Sequence, residues 1–162
     1  MGLTPLMAAA MGGHEDAARE LIDAGAAVDA VNAKQRTALM FAAEAGSAPC
    51  VRVLTGGGAQ VDAADQSGRT ALFYAASLGG PEATQALLDA GADPNARDAT
   101  NRTPIMEAIM GGNKETVLAL LNAGADATAE DRGGTSVIEM AEAKTDARGR
   151  DVATIIRMAI RP

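Results

Sequence analysis

Threonines at positions 4, 37, 70 and 103 stand 33 residues apart, each opening a copy of one segment: TPLMAAAMGG, TALMFAAEAG, TALFYAASLGG and TPIMEAIMGG. A period of this length requires similar supersecondary units stacked in line, which makes the chain a solenoid rather than a body around one globular core. Each threonine precedes an apolar stretch, and Pro5 and Pro104 sit at the first helical position, where a missing N–H costs nothing. A short first helix therefore starts at each threonine and ends near Gly13, Gly46, Gly79 and Gly112. Acidic residues such as Glu15, Asp16, Glu82 and Glu115 then open a second helix at the end that favours negative charge, and Gly25, Gly58, Gly91 and Gly124 mark its stop. The Asp- and Asn-rich stretches 26–36, 59–69, 92–102 and 125–134 read as extended turns or hairpins that return the chain to the next threonine.

Helices this short are marginal alone, so neighbouring copies must bury one another. Leu6, Leu39, Leu72 and Ile105 recur at one phase and Leu21, Leu54, Leu87 and Leu120 at another, as a continuous core along a stack requires. Ala9, Ala42, Ala75 and Ala108 between them allow close helix approach. The later halves of the copies, RELIDAGAAVDAVN (19–32), QALLDAGADPNARD (85–98), LALLNAGADATAED (118–131) and the weaker RVLTGGGAQVDAAD (52–65), complete a pattern that resembles the ankyrin-repeat family. The expected fold is an all-α repeat solenoid, an ankyrin-like stack of helix-turn-helix units joined by hairpin-like loops. One domain spans 1–162, with four regular repeats at 4–36, 37–69, 70–102 and 103–134 and a modified C-terminal capping repeat at 135–162. Thr135 comes 32 residues after Thr103, and about three extra residues are expected between the last two helices, around 146–150. Lys144, Arg148, Arg150, Arg157 and Arg161 suit the polar outer face that a terminal repeat needs. The chain opens just before its first helix without a preceding hairpin, which leaves a true start at Met1 and a piece of a longer chain as two open readings.

Composition narrows the chemistry. One cysteine and one histidine, Cys50 and His14, leave no intrachain disulfide and no zinc set, and no cofactor or metal is expected. A net charge of −7 opposes nucleic-acid binding. The sequence has no transmembrane-length apolar run, signal peptide or lipidation motif, so no membrane partner is expected and the default compartment is the cytoplasm; a cleaved upstream secretory signal would change that. Gly56-Gly57-Gly58 lacks the strand and the Lys-Ser/Thr of a phosphate loop and reads as a loosened helix end. His14-Glu15-Asp16 reads as a helix opening, and Cys50 as a small packed thiol. Asn101-Arg102-Thr103 is formally a glycosylation sequon, followed by Pro104. Asn95 matches the hairpin asparagine that oxygenases hydroxylate in some ankyrin proteins. No nucleophile, base and orienting group recur as a set, so no enzymatic activity is expected.

Function then lies in positions that the fold does not dictate. The resemblance implies a concave face, built of first helices and hairpins, on which a partner protein docks. The three aromatic residues, Phe41, Phe73 and Tyr74, all fall in the first helices of the second and third copies. Phe41 and Tyr74 share a phase with Ala8 before them and Glu107 and Glu139 after them. Phe73 shares the phase of Met7, Met40 and Met106 and is expected in the core. Met11, Leu78 and Met110 are apolar members of two variable phases that also hold Glu44, and Arg36, Arg69 and Arg102 form a ladder just before the threonines. For each group, packing or bracing within the fold competes with partner contact. The candidate partner-binding residues are Met11, Arg36, Phe41, Glu44, Arg69, Tyr74, Leu78, Arg102, Glu107 and Met110. Residues 1–134 hold nine Lys and Arg against seventeen Asp and Glu, which favours a basic partner surface, with an apolar one as the other option. The expected function is a protein–protein interaction module, monomeric by default, acting as a non-enzymatic adaptor or inhibitor. The alternative is a regulatory or sensory domain of a larger protein whose remaining part carries catalysis or transport.

In the second copy Thr55 stands where Ile22, Leu88 and Leu121 stand in the others, and Gly56-Gly57 weaken the helix end by about 1 kcal/mol each. Amides of residues 50–57 should therefore exchange with deuterium faster than those of residues 84–90; equal protection would contradict this.

Overall fold

The computed structural model describes residues 2–144 and 147–160. The first copy contributes α1 (Pro5–Met11) and α2 (Glu15–Asp23), and the second α3 (Ala38–Glu44) and α4 (Ala48–Gly56). In the third, α5 (Ala71–Tyr74) continues into a π-helical turn, Ala75–Gly79, before α6 (Pro81–Asp89). The fourth holds α7 (Pro104–Gly111) and α8 (Lys114–Asn122), and the last α9 (Val137–Glu142) and α10 (Ala147–Ile160). Among the described residues there is no strand, only an isolated bridge between Glu130 and Ser136. First helices pack on first helices and second on second along the stack, giving two layers.

The threonines cap as their spacing predicts, with a difference between copies. Thr4 and Thr37 accept the N–H of Met7 and Met40 on their hydroxyls, at 3.2 and 3.4 Å. At Thr70 and Thr103 the corresponding amides, of Phe73 and Met106, turn to the threonine carbonyl at 3.1 Å, which tightens the first turn and leaves both hydroxyls buried without a partner among the described residues. The fifth copy keeps the 33-residue register through Ser136, not Thr135. The Ser136 hydroxyl accepts the Glu139 N–H while the Glu139 carboxylate accepts the Ser136 N–H, a reciprocal pair that satisfies two orphan donors. The expected insertion around 146–150 begins at residues that lie outside the described ones, as do residue 161 and the Arg148 side chain; α10 starts at Ala147.

The core follows the repeating phases. Leu6, Leu39, Leu72 and Ile105 are buried, as are Met7, Met40, Phe73 and Met106 and the alanine series 9, 42, 75, 108. Leu54, Leu87 and Leu120 are fully enclosed between layers, while Leu21 in the first copy is half-buried. Cys50 is fully buried.

The hairpins are held by one repeated device. The side-chain oxygen at 32, 65, 98 and 131 accepts backbone N–H groups two and four residues ahead; for Asp98 these are Thr100 at 2.8 Å and Arg102 at 3.0 Å. Between copies, Asp29, Asp62 and Asn95 accept the N–H of Gln60, Asp93 and Asp126. Asn95 also donates to the Gly124 carbonyl at 3.0 Å, so both ends of its amide are spent on stitching the third copy to the fourth.

Copies one, two and four end their first helix on a left-handed glycine, Gly13, Gly46 or Gly112, with φ near +70° (68, 69 and 71). The third copy ends instead at Gly80, φ 81° and ψ 178°, a region essentially closed to other residues. The π turn before it passes close to α7, so that a Cβ on Gly111 would lie 3.0 Å from the Ser77 carbonyl oxygen. Gly56, by contrast, ends α4 with no neighbour within 4 Å of a built Cβ. Gly56→Ala should raise unfolding stability by up to about 1 kcal/mol. Gly111→Ala should lower it by about 1–3 kcal/mol, since backbone cannot swing aside. Urea unfolding of the two variants checks both signs.

Candidate functional site

The arginine that precedes each first helix is aimed by its own hairpin. Its N–H is held by the Asn or Asp four residues earlier, which fixes the backbone, and its side chain then runs along the first-helix layer. Arg36 enters between the aromatic residues of two copies, its guanidinium carbon 4.2 Å from the Phe41 ring centre and 4.3 Å from that of Tyr74. Such stacking satisfies a weakly hydrated, planar cation on both faces. Glu44, one turn beyond Phe41, neutralises it as an ion pair. The Tyr74 hydroxyl donates to Asp65 Oδ2 at 2.6 Å, using the carboxylate oxygen that the hairpin leaves free. Burial, with help from that hydrogen bond to Asp65 and against the pull of Arg36, pushes the Tyr74 phenol up to about 12.

At the next copy the aromatic phase becomes acidic, and the arginines change partner. Glu107 is 4% exposed, and its Oε1 lies 3.3 Å from both Arg69 and Arg102, one from the copy before and one from its own. Arg69 Nε is also 3.6 Å from Asp98 Oδ2. Burial works against the charge on Asp98, but hydrogen bonds from the Thr100 hydroxyl and from the Arg102 and Thr100 backbone, together with Arg69, outweigh it and hold the carboxyl below its ordinary range. A buried carboxylate between two arginines is a strut whose removal leaves unpaired charge.

Seven of the candidate residues thus come together within the fold: Arg36, Phe41, Glu44 and Tyr74 as one cluster, Arg69 and Arg102 with Glu107 as another. Phe41 and Glu107 are buried, so neither is presented to a partner as a free side chain. Glu139 does not extend their row. With Ser136 as the cap, the residue in that phase is Met140, and the Glu139 carboxylate is held by Ser136, whose backbone N–H and hydroxyl lower its pKa. The remaining candidates, Met11, Leu78 and Met110, stand free at 51%, 69% and 45% exposure. Leu78 rides on the π turn, and the Met110 carbonyl accepts from the Lys144 ammonium of the last copy. Sequence reasoning left the π turn unmarked; its signal was Gly79-Gly80-Pro81, two glycines where other copies have one followed by His, Ser or Asn before the second helix.

Among the described residues no three His, Cys, Asp or Glu side chains gather where they could hold a metal ion, and no helix is long and apolar enough to cross a membrane. The surface depressions are open grooves between helices lined by charges of both signs, Lys114, Glu115 and Asp151 in one and Glu142, Lys144 and Arg157 in another. The family model for ankyrin repeats (three copies) matches residues 1–65 and again residues 55–131. The chain belongs to the ankyrin-repeat family. No individual curated protein matches it significantly.

Tyr74 is the single tyrosine, so its ionisation can be followed directly by phenolate absorbance. The midpoint should lie near 12 rather than 10, and Asp65→Asn should move it down. Because the folded pKa is raised, the protonated phenol favours the fold; this contribution is complete below pH 10 and is lost as pH rises towards 12. Phe41→Ala should cost about 3–5 kcal/mol in urea unfolding, as a buried side chain does.

Proposed function

We propose that this chain acts as a non-enzymatic adaptor or inhibitor that captures a partner protein on its first-helix face, with Met11, Leu78 and Met110 as the apolar contacts. Ankyrin repeats are generally protein–protein interaction modules and typically non-enzymatic. The observation that carries the proposal is the contrast on one face: three large apolar side chains stand between 45% and 69% exposed while the charges between them are paired inward. Flexible methionine and leucine side chains on a rigid, internally braced floor suit partner recognition, since they repack at little cost while the floor stays ordered. In this arrangement Arg36, Arg69, Arg102, Phe41, Tyr74 and Glu107 hold the floor. The preferred partner surface is apolar, and the global negative charge contributes only long-range steering.

Capture from native extract, with the bound protein identified by mass spectrometry and then titrated in purified form, tests this. Leu78→Asp combined with Met110→Asp should weaken binding at least about 30-fold, equivalent to the loss of about 2 kcal/mol, with no change in unfolding midpoint. The association rate should vary little with salt. Binding that survives both aspartates but falls steeply with salt would assign recognition to the arginine ladder instead.

A further inference from the structure

The third copy departs from its neighbours at the turn between its two helices, where Leu78 stands in the register of Gly12, Ala45 and Gly111. In those three copies the next residue is the left-handed glycine, Gly13, Gly46 or Gly112. A residue with a side chain follows, His14, Ser47 or Asn113, at φ −83°, −82° and −95°. Ser47 and Asn113 accept the N–H of Cys50 and Thr116 on their side chains and so cap the second helix. The third copy instead winds the π turn Ala75–Gly79 and enters α6 through Gly80, at φ 81° and ψ 178°, with no side-chain cap.

The residues of this segment meet the demands of both turns. The π turn needs glycine at 80, where its backbone is closed to other residues, and not at 79, its last helical residue. The ordinary turn needs glycine at 79, the register of Gly13, Gly46 and Gly112, and not at 80, where three copies carry side chains. Only this copy has glycine at both positions. Pro81 bars right-handed helical backbone at 80, which neither form uses. A third glycine belongs to the same arrangement. A Cβ at Gly111 would lie 3.0 Å from the Ser77 carbonyl oxygen on the π turn, whereas Ala45 and Leu78, in the same register, carry side chains beside the ordinary turns of copies one and two. The π turn closes i→i+5 bonds and holds more residues per turn than an α turn, so it sets Leu78 at a different angle about the helix axis. In this form Leu78 projects at 69% exposure.

We propose that residues 75–80 form a two-state turn, π or ordinary, that sets how Leu78 is presented to a partner protein. The role in recognition rests on Leu78 being a partner contact; the two forms of the turn do not. A partner that gains more from Leu78 in one form draws the turn into that form, by no more than its difference in affinity for the two.

Urea unfolding of full-chain variants tests the turn without any partner. Gly80→Asn closes the π form and supplies the cap that Asn113 gives the fourth copy, while Gly79→Ala disfavours the ordinary form. Each alone leaves one form open and should lower the unfolding midpoint little. Gly79→Ala and Gly80→Asn together should lower it by far more than the two shifts added. Gly111→Ala, costly in the wild type, should cost nothing further in the Gly80→Asn background. The Leu78 methyl resonances of the two single variants should differ, with the wild type showing both positions or their average. A Gly80→Asn or Gly79→Ala loss as large as that of the double variant, or additive shifts, would overturn the two-state turn. Identical Leu78 methyl positions in both single variants would do the same. Full partner binding by Leu78→Asp with Met110→Asp would overturn the role in recognition and leave the two forms standing.

Discussion

No helix of the first four copies exceeds nine residues, a length at which an isolated helix is marginal in water, so everything else in the molecule depends on one copy burying the apolar side of the next. The leucine and methionine phases meet across that interface, and the alanines at 9, 42, 75 and 108 set how closely the helices approach. Local departures are felt there first. Thr55 spends its hydroxyl on the Val51 and Arg52 carbonyls where other copies pack a branched apolar side chain, and Gly111 is required because the π turn brings the Ser77 carbonyl against it.

The polar groups are arranged so that this packing leaves few debts. The Asx oxygens at 32, 65, 98 and 131 take up hairpin amides with one oxygen, which frees the second oxygen of Asp65 for Tyr74 and that of Asp98 for Arg69. The arginines then choose their partners by what the first-helix phase offers: aromatic rings and Glu44 for Arg36, a shared carboxylate for Arg69 and Arg102. These contacts are made in a partly dehydrated layer, where an unpaired charge is costly and a paired one holds neighbouring copies in register. Met11, Leu78 and Met110, which the network does not use, stand exposed.

Phase counting located the elements of this network but not its wiring. That Phe41, Tyr74 and Glu107 share a position follows from the 33-residue period; that Arg36 inserts between two of them, and that Glu107 faces inward, depends on side-chain paths across copies that a linear repeat does not encode. The last copy shows the same limit. Threonine identity favoured Thr135 as the cap, but the stack holds the period, and Ser136 with Glu139 supplies the stronger reciprocal cap. The one-residue difference moves Glu139 out of the aromatic phase and puts Met140 in it.

The sequence by itself determined the architecture, because a repeating pattern of caps, apolar phases and glycines is a local code in which each copy confirms the others: the solenoid, the helix starts at Thr4, Thr37, Thr70 and Thr103, and the leucine core were all legible from spacing. Only the tertiary structure decided which variable residues are surface. Phe41 and Glu107 are enclosed while Leu78 and Met110 stand out, since exposure is a property of two neighbouring copies and of how Arg36, Arg69 and Arg102 reach between them.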